Sequence, residues 1–91
     1  MSTATATGKA AHFLRQAADT NRVRILTLMA EGERNVGEIC DELGQSQPAI
    51  SHHLNLLHLG GAIERRREGR SNFYSLTDAG RRLAELAEAV G

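Results

Sequence analysis

An uncharged polar segment constrains this chain more than any other feature. Between Leu43 and Ile63 there is no Lys, Arg, Asp or Glu, although the pattern is helical. Ser46 is a suitable N-cap, and Pro48 falls in the first turn, where its missing N–H costs no hydrogen bond. Helical spacing places a largely apolar set on one side: Ala49, Ile50, His53, Leu54 and Leu57. The other side carries Gln47, Ser51, His52, Asn55 and His58.

The outer side of this helix has the chemistry of a DNA reader. Solvated helices usually carry charges, whereas amide and hydroxyl side chains match the donors and acceptors on base edges. We therefore predict that the helix enters a major groove, with Asn55 near the backbone and base contacts from Gln45, Ser46, Gln47, Ser51 and His52. The alternative is a polar but otherwise ordinary surface helix.

Composition limits the remaining classes. The 91 residues fit one small domain, and one Tyr and two Phe leave the core to aliphatic residues, which suits helices. Formal net charge is zero, which argues against a nonspecific polycation. The charges are nevertheless segregated, with five acids and one Arg in 31–42 but six Arg and three acids in 64–82. One Cys excludes an internal disulfide, and no membrane span or signal core is visible, so a cytoplasmic protein with no membrane partner is expected.

Helices precede the uncharged segment. Residues 1–8 predict a flexible tail, and 9–91 predict one domain that begins with a helix over Lys9–Ala18. A second helix is capped by Asp19, Thr20 or Asn21 and stops at Gly32. A third spans Val36–Leu43 and ends at Gly44. The short turn from Gly44 to Ser46 then predicts a helix-turn-helix.

Two β-type runs follow, Ala62–Arg67 and Ser71–Leu76, around the turn Glu68-Gly69-Arg70. Alternation places Tyr74 and Leu76 on the core face. Four arginines cluster on this hairpin, at Arg65, Arg66, Arg67 and Arg70. Beside an uncharged helix they predict phosphate clamps or a minor-groove probe, and the alternative is a solvated arginine tip.

The chain ends in a helix that Thr77 caps and that runs through Val90. It carries an apolar stripe at Leu83, Leu86, Ala87 and Val90. The first helix carries a second stripe at Ala10, Phe13, Leu14 and Ala17. Both could pack inside one domain, but a chain of this size has little room for two. We therefore predict a homodimer through the first and last helices.

These motifs together resemble the ArsR/SmtB family of bacterial winged-helix repressors. The resemblance covers about Ala18 to Leu76 and rests on Asn21-Arg22, Val36-Gly37-Glu38-Ile39, the run from Ser46 to Leu54, Arg67-Glu68-Gly69-Arg70 and Tyr74-Ser75-Leu76. It implies a mainly α fold with a small β-hairpin, a winged helix-turn-helix ordered α-α-α-α-β-β-α. It also implies a homodimer paired through the first and last helices, which represses an operon and releases DNA when an inducer binds.

The sequence departs from the metal-sensing members of that family. Asn35 and Gly37 stand where their thiolates would be, Cys40 alone cannot build a soft-metal site, and the last helix has Asp78 but no His. Adjacent His52 and His53 point about 100° apart on a helix and cannot share an ion. We therefore predict no metal and no cofactor.

The resulting prediction is a sequence-specific transcriptional regulator, a repressor of a pseudo-palindromic operator on double-stranded DNA. Its recognition helix is about 46–59 and its wing 63–76. No catalytic constellation is visible, so an enzyme is not expected. Two alternatives remain: a winged-helix protein–protein module, and a regulator that responds to redox change or a small molecule through Cys40. The inducer is left open.

Overall fold

The computed structural model describes residues 19–90. The predicted tail 1–8, the helix Lys9–Ala18 and the interface residues of that helix lie outside this range, as does the side chain of Val90. The described residues form α1 (Thr20–Ala30), β1 (Arg34–Asn35), α2 (Val36–Leu43), α3 (Gln47–Leu59), β2 (Ile63–Glu68), β3 (Ser71–Leu76) and α4 (Asp78–Val90). None of these helices is long and apolar enough to cross a membrane.

Local capping sets the bounds of the helix-turn-helix. Asn35 accepts from the Glu38 backbone N–H while the Glu38 carboxylate accepts from the Asn35 N–H, a capping box that starts α2. Gly44 ends α2 at φ 66°, a conformation that glycine adopts without steric cost. The Ser46 hydroxyl then caps α3 by accepting from the Ala49 N–H. The predicted bounds of both helices are confirmed to within one residue.

The wing is part of a three-stranded antiparallel sheet in the order β1-β3-β2. Gly69 and Arg70 form the turn, with Gly69 at φ 62°. The predicted hairpin is confirmed, and Tyr74 and Leu76 are buried as expected. Strand β1 was not predicted, because two residues are too short to leave an alternating pattern.

The core lies where the helices meet the base of the wing. Its fully buried side chains come from every helix and from β2: Ile25, Leu26, Ile39, Ile50, Leu54, Leu57, Ile63 and Leu83. All are aliphatic, as the shortage of aromatic residues predicted. The inward side of α3 is thus fixed by packing, which leaves its polar side facing outward.

One predicted interface residue belongs to this core instead. Leu83 has no exposed surface and packs among the chain's own buried residues, so it cannot contact a partner subunit. Ala87 is also buried within the chain, at 8% exposure, whereas Leu86 is half-buried. The prediction that the whole stripe pairs with a second subunit was therefore wrong at Leu83. The stripe's periodicity is real, but α4 uses part of it to cover α1.

Candidate nucleic-acid interface

The outer side of α3 is exposed and free of charge. Ser46, Gln47, Ser51, His52 and Asn55 are all exposed. The Ser46 oxygen already accepts the capping hydrogen bond, so its hydroxyl hydrogen remains available to donate. Five of the side chains predicted to read DNA therefore lie on one accessible surface.

Gln45 is held differently from the others. Its Nε2 donates to Oδ1 of Asn21 in the first turn of α1, at 2.6 Å, and the residue is half-buried. This contact ties the turn of the helix-turn-helix to α1. Gln45 thus has a structural role that the sequence did not indicate, since its partner lies 24 residues away.

A cleft separates the second half of α3 from the wing. Its volume is about 320 Å³, and it is lined by Ser51, Leu54, Asn55, His58, Arg65 and Tyr74. His58 Nδ1 lies 3.2 Å from the Ile63 carbonyl, which can only accept, so Nδ1 carries the hydrogen. The structure therefore brings predicted helix and wing residues together around one polar cavity. It also adds His58 and Tyr74, which were not predicted as site residues. The sequence placed His58 on the outer side of the helix, but only the pairing of Arg65 with Tyr74 brings it beside the wing.

A second cleft lies at the start of α3. Its volume is about 340 Å³, and Gln47 and Arg70 both line it, together with Asn35, Val36, Gly37, Ser71 and Asn72. Arg70 is exposed at the wing turn. The wing tip therefore stands beside the first turn of the uncharged helix, a position that the sequence did not specify.

The wing arginines divide between the two faces of the hairpin. Side chains alternate along a strand, and residues directly opposite share a face. Arg65 pairs with Tyr74 and Arg67 with Asn72, so these two arginines lie on the face that lines the clefts. Both are exposed, and Arg67 Nε donates to the Gly69 carbonyl at 3.2 Å.

Arg66 lies on the opposite face and is already paired. Its Nη2 and Nε donate to the two carboxylate oxygens of Glu33 at 2.8 and 3.2 Å, and Nη1 lies 3.4 Å from Glu68. Its guanidinium also lies 5.0 Å from the ring centroid of Phe73. The hydrogen bond from Arg66 lowers the pKa of Glu33, and the bonds to Glu33 and Glu68 raise the pKa of Arg66. The structure thus separates Arg66 from the other three arginines.

The histidines of α3 do not converge. The His52 and His53 rings are 5.6 Å apart in an edge contact, with His52 exposed and His53 half-buried. Burial lowers the pKa of His53, and its Nδ1 has no hydrogen-bond partner among the described residues. Within residues 19–90 no three His, Cys, Asp or Glu side chains lie close enough to hold a metal ion. Cys40 is partly buried against the core.

Comparisons with known proteins agree with this geometry. The family model described as "Bacterial regulatory protein, arsR family" matches residues 19–63. An uncharacterised HTH-type transcriptional regulator of Methanocaldococcus jannaschii is 46% identical over 83 residues, covering 90% of this chain and 91% of the relative. The region matched by the family model, residues 19–63, includes the helix-turn-helix and the first residue of β2.

Solved structures share the whole fold. The transcriptional repressor BigR from Xylella fastidiosa superposes with a TM-score of 0.81 at 32% identity, over 92% of this chain and 84% of that one. A homodimeric winged helix-turn-helix DNA-binding domain from Mycobacterium bovis gives a TM-score of 0.80 at 34% identity, over 98% of this chain and 81% of that one. Both similarities extend through the wing.

Proposed function

Because the chain belongs to the ArsR family of bacterial regulatory proteins, we propose that it is a repressor that reads an operator with α3 and holds the flanking backbone with its wing. The family and its relatives are transcriptional regulators with a winged helix-turn-helix DNA-binding fold, so the chain is a transcription regulator and not an enzyme. As a DNA-acting regulator of this kind it is expected in the cytoplasm.

One observation carries the proposed binding mode. The uncharged outer side of α3 shares its two clefts with Arg65 and Arg70 of the wing. Hydrogen-bonding side chains specify bases, whereas exposed arginines bind phosphates whatever the sequence. We expect Gln47, Ser51 and His52 to meet base edges while Arg65, Arg67 and Arg70 contact backbone or the adjacent minor groove. Ser46 is expected to add a base contact, and Asn55 to lie near the backbone.

A homodimer completes the proposal. The M. bovis domain that shares this fold is homodimeric, and BigR is a repressor. In this chain the half-buried Leu86 of α4 is the described stripe residue with surface left for a partner, and Ala10, Phe13, Leu14 and Ala17 are proposed to add the first helix. A twofold dimer reads a pseudo-palindrome with half-sites about one helical turn, roughly 34 Å, apart.

The signal is proposed to differ from that of the metal sensors. Asn35 serves as the N-cap of α2 and Gly37 lies in its first turn, so neither position supplies a thiolate. An unidentified small molecule is one proposed inducer, and redox change at Cys40 is the alternative. Calorimetric titration with Zn²⁺ tests the proposal that the chain lacks a metal-sensing site, because tight stoichiometric binding would contradict it.

The binding mode is tested with duplexes selected from a random library. The Kd of the chain is measured on the selected duplex and on a scrambled one. Ser51→Ala is expected to lose about 1–3 kcal/mol on the selected duplex and almost nothing on the scrambled one, since it removes a base contact. Thr27→Ala, which removes an exposed hydroxyl from α1, is the matched control and should change neither Kd.

Two results would count against the proposal. Equal losses on both duplexes would make Ser51 a backbone contact. Failure of the wild-type chain to bind any duplex would favour a winged-helix protein–protein module instead.

A further inference from the structure

The wing has two chemically different faces, and the proposed function uses only one of them. Arg65 and Arg67 project from the face that lines the clefts with α3. Arg66 projects from the other face, where it stacks over Phe73 and binds two carboxylates. A guanidinium with this many partners has few donors left for a phosphate.

Glu33 is the partner that connects the wing to the rest of the fold. It lies between α1 and β1, 33 residues before Arg66 in the chain. Both of its oxygens are engaged by Arg66, at 2.8 and 3.2 Å, in the paired geometry that fixes direction as well as distance. The next residues, Arg34 and Asn35, form β1 and pair with β3. The contact therefore joins the connection before the helix-turn-helix to the middle of β2.

We propose that Glu33 and Arg66 are positioning residues for DNA binding: their ion pair sets the orientation of the wing relative to α3, and Arg66 itself does not contact DNA. This inference rests on the proposed function, which it deepens. It also replaces the sequence prediction that Arg66 is one of the phosphate contacts.

The direction in which Glu33→Gln changes DNA affinity separates this proposal from its alternative. If Arg66 were a phosphate contact that Glu33 holds back, neutralising Glu33 would free a cation and remove an acid near the DNA, so binding would tighten. If the pair positions the wing, neutralising Glu33 loosens the part of the hairpin beyond the β1 pairs at Phe73 and Tyr74, and binding weakens. We expect Glu33→Gln to weaken binding by about three- to tenfold, the usual size of a coupling passed through an intervening contact.

The matched control is Glu31→Gln. Glu31 lies two residues earlier in the same connection and pairs with Arg34 at 3.6 Å, without touching the wing. The Glu31→Gln substitution removes the same charge as Glu33→Gln but breaks no contact with Arg66. The Kd of this variant on the selected duplex should therefore stay within about twofold of wild type, the range of an exposed ion pair. Tighter binding by Glu33→Gln than by Glu31→Gln would overturn the proposal.

Salt dependence gives a second readout that a simple loss of affinity would not reproduce. Each phosphate contact adds about 0.9 to the slope of log Kd against log salt. Arg66→Gln is expected to weaken binding by about as much as Glu33→Gln while leaving this slope unchanged, with the effects of the two substitutions overlapping when they are combined. A slope reduced by about one unit would make Arg66 a phosphate contact.

A measurement without DNA separates this inference from the proposed function. Backbone amides of β2 and β3 are followed by hydrogen exchange in the free protein. Glu33→Gln should accelerate exchange there, and Glu31→Gln should not. If the wild-type chain binds no duplex, the proposed function fails whatever exchange shows. If exchange in β2 and β3 is the same in Glu33→Gln and wild type, the positioning role fails whatever DNA binding shows.

Discussion

Gly80 of α4 yields a stability prediction whose sign contradicts the usual rule. Replacing glycine by alanine inside a helix ordinarily stabilises a protein by about 1 kcal/mol, because alanine has the higher helix propensity. Gly80 is buried against the base of the wing. A Cβ added there would lie 2.9 Å from the carbonyl carbon of Ala62, closer still to its oxygen, and 3.2 Å from Leu76 Cδ2.

The cost of Gly80→Ala comes from backbone that has little freedom to move. Real Cβ atoms essentially never approach within 3.0 Å of another heavy atom. The Ala62 carbonyl is also held in place, since it accepts from the Thr77 N–H at 3.0 Å. Overpacking of this kind costs typically 1–3 kcal/mol, and a backbone neighbour places the cost near 3. After the gain in helix propensity, we expect a net loss of about 2 kcal/mol in the free energy of unfolding.

Urea unfolding followed by far-UV circular dichroism measures this loss, at one fixed protein concentration because dimerisation would shift the midpoint. For a domain of this size the expected fall in Tm is about 8–16 °C. Gly37→Ala in α2 is the matched control, since its added Cβ meets only the Asn35 side chain, at an ordinary 3.4 Å. It should be neutral or stabilising by up to about 1 kcal/mol. A Gly80→Ala variant at least as stable as wild type would refute the reasoning.

Two further outcomes concern charge. Arg70→Ala is expected to weaken binding to selected and scrambled duplexes alike, because Arg70 at the wing tip is proposed to contact one phosphate. The slope of log Kd against log salt should fall by about 0.9. An unchanged slope would show that Arg70 does not contact the DNA backbone. Burial lowers the pKa of His53 in the folded chain, so below about pH 6.5 the unfolded chain binds more protons and the free energy of unfolding decreases. His53→Gln should reduce this loss in urea unfolding at about pH 7.5 and 5.5, and equal losses in wild type and His53→Gln would contradict the assignment.

Local signals predicted most of the fold. Ser46 and Gly44 act on backbone within a few residues of themselves, so their capping chemistry fixes helix ends that the sequence displays directly. Gly69 acts in the same way on the wing turn. The uncharged side of α3 was equally readable, because helical periodicity alone separates it from the buried side.

Contacts distant in sequence supplied what was missed. Gln45 with Asn21, and Arg66 with Glu33, join segments that are adjacent only after folding. Periodicity also gives a helix face without saying what covers it, which is why Leu83 was assigned to a partner subunit although the chain's own core surrounds it. Strand alternation alone places Arg66 on the other face from Arg65 and Arg67. Its partner Glu33 lies 33 residues away, and no local pattern indicates that pairing.

Strand β1 has a mechanical consequence for how DNA could be released. Arg34 and Asn35 pair with β3, and Asn35 also starts α2, so the strand that borders the wing continues directly into the reading motif. A hinge between wing and α3 would have to break those backbone pairs. We therefore expect each subunit to move as a single block, so that an inducer acts by changing the spacing and tilt between two such blocks along the double helix.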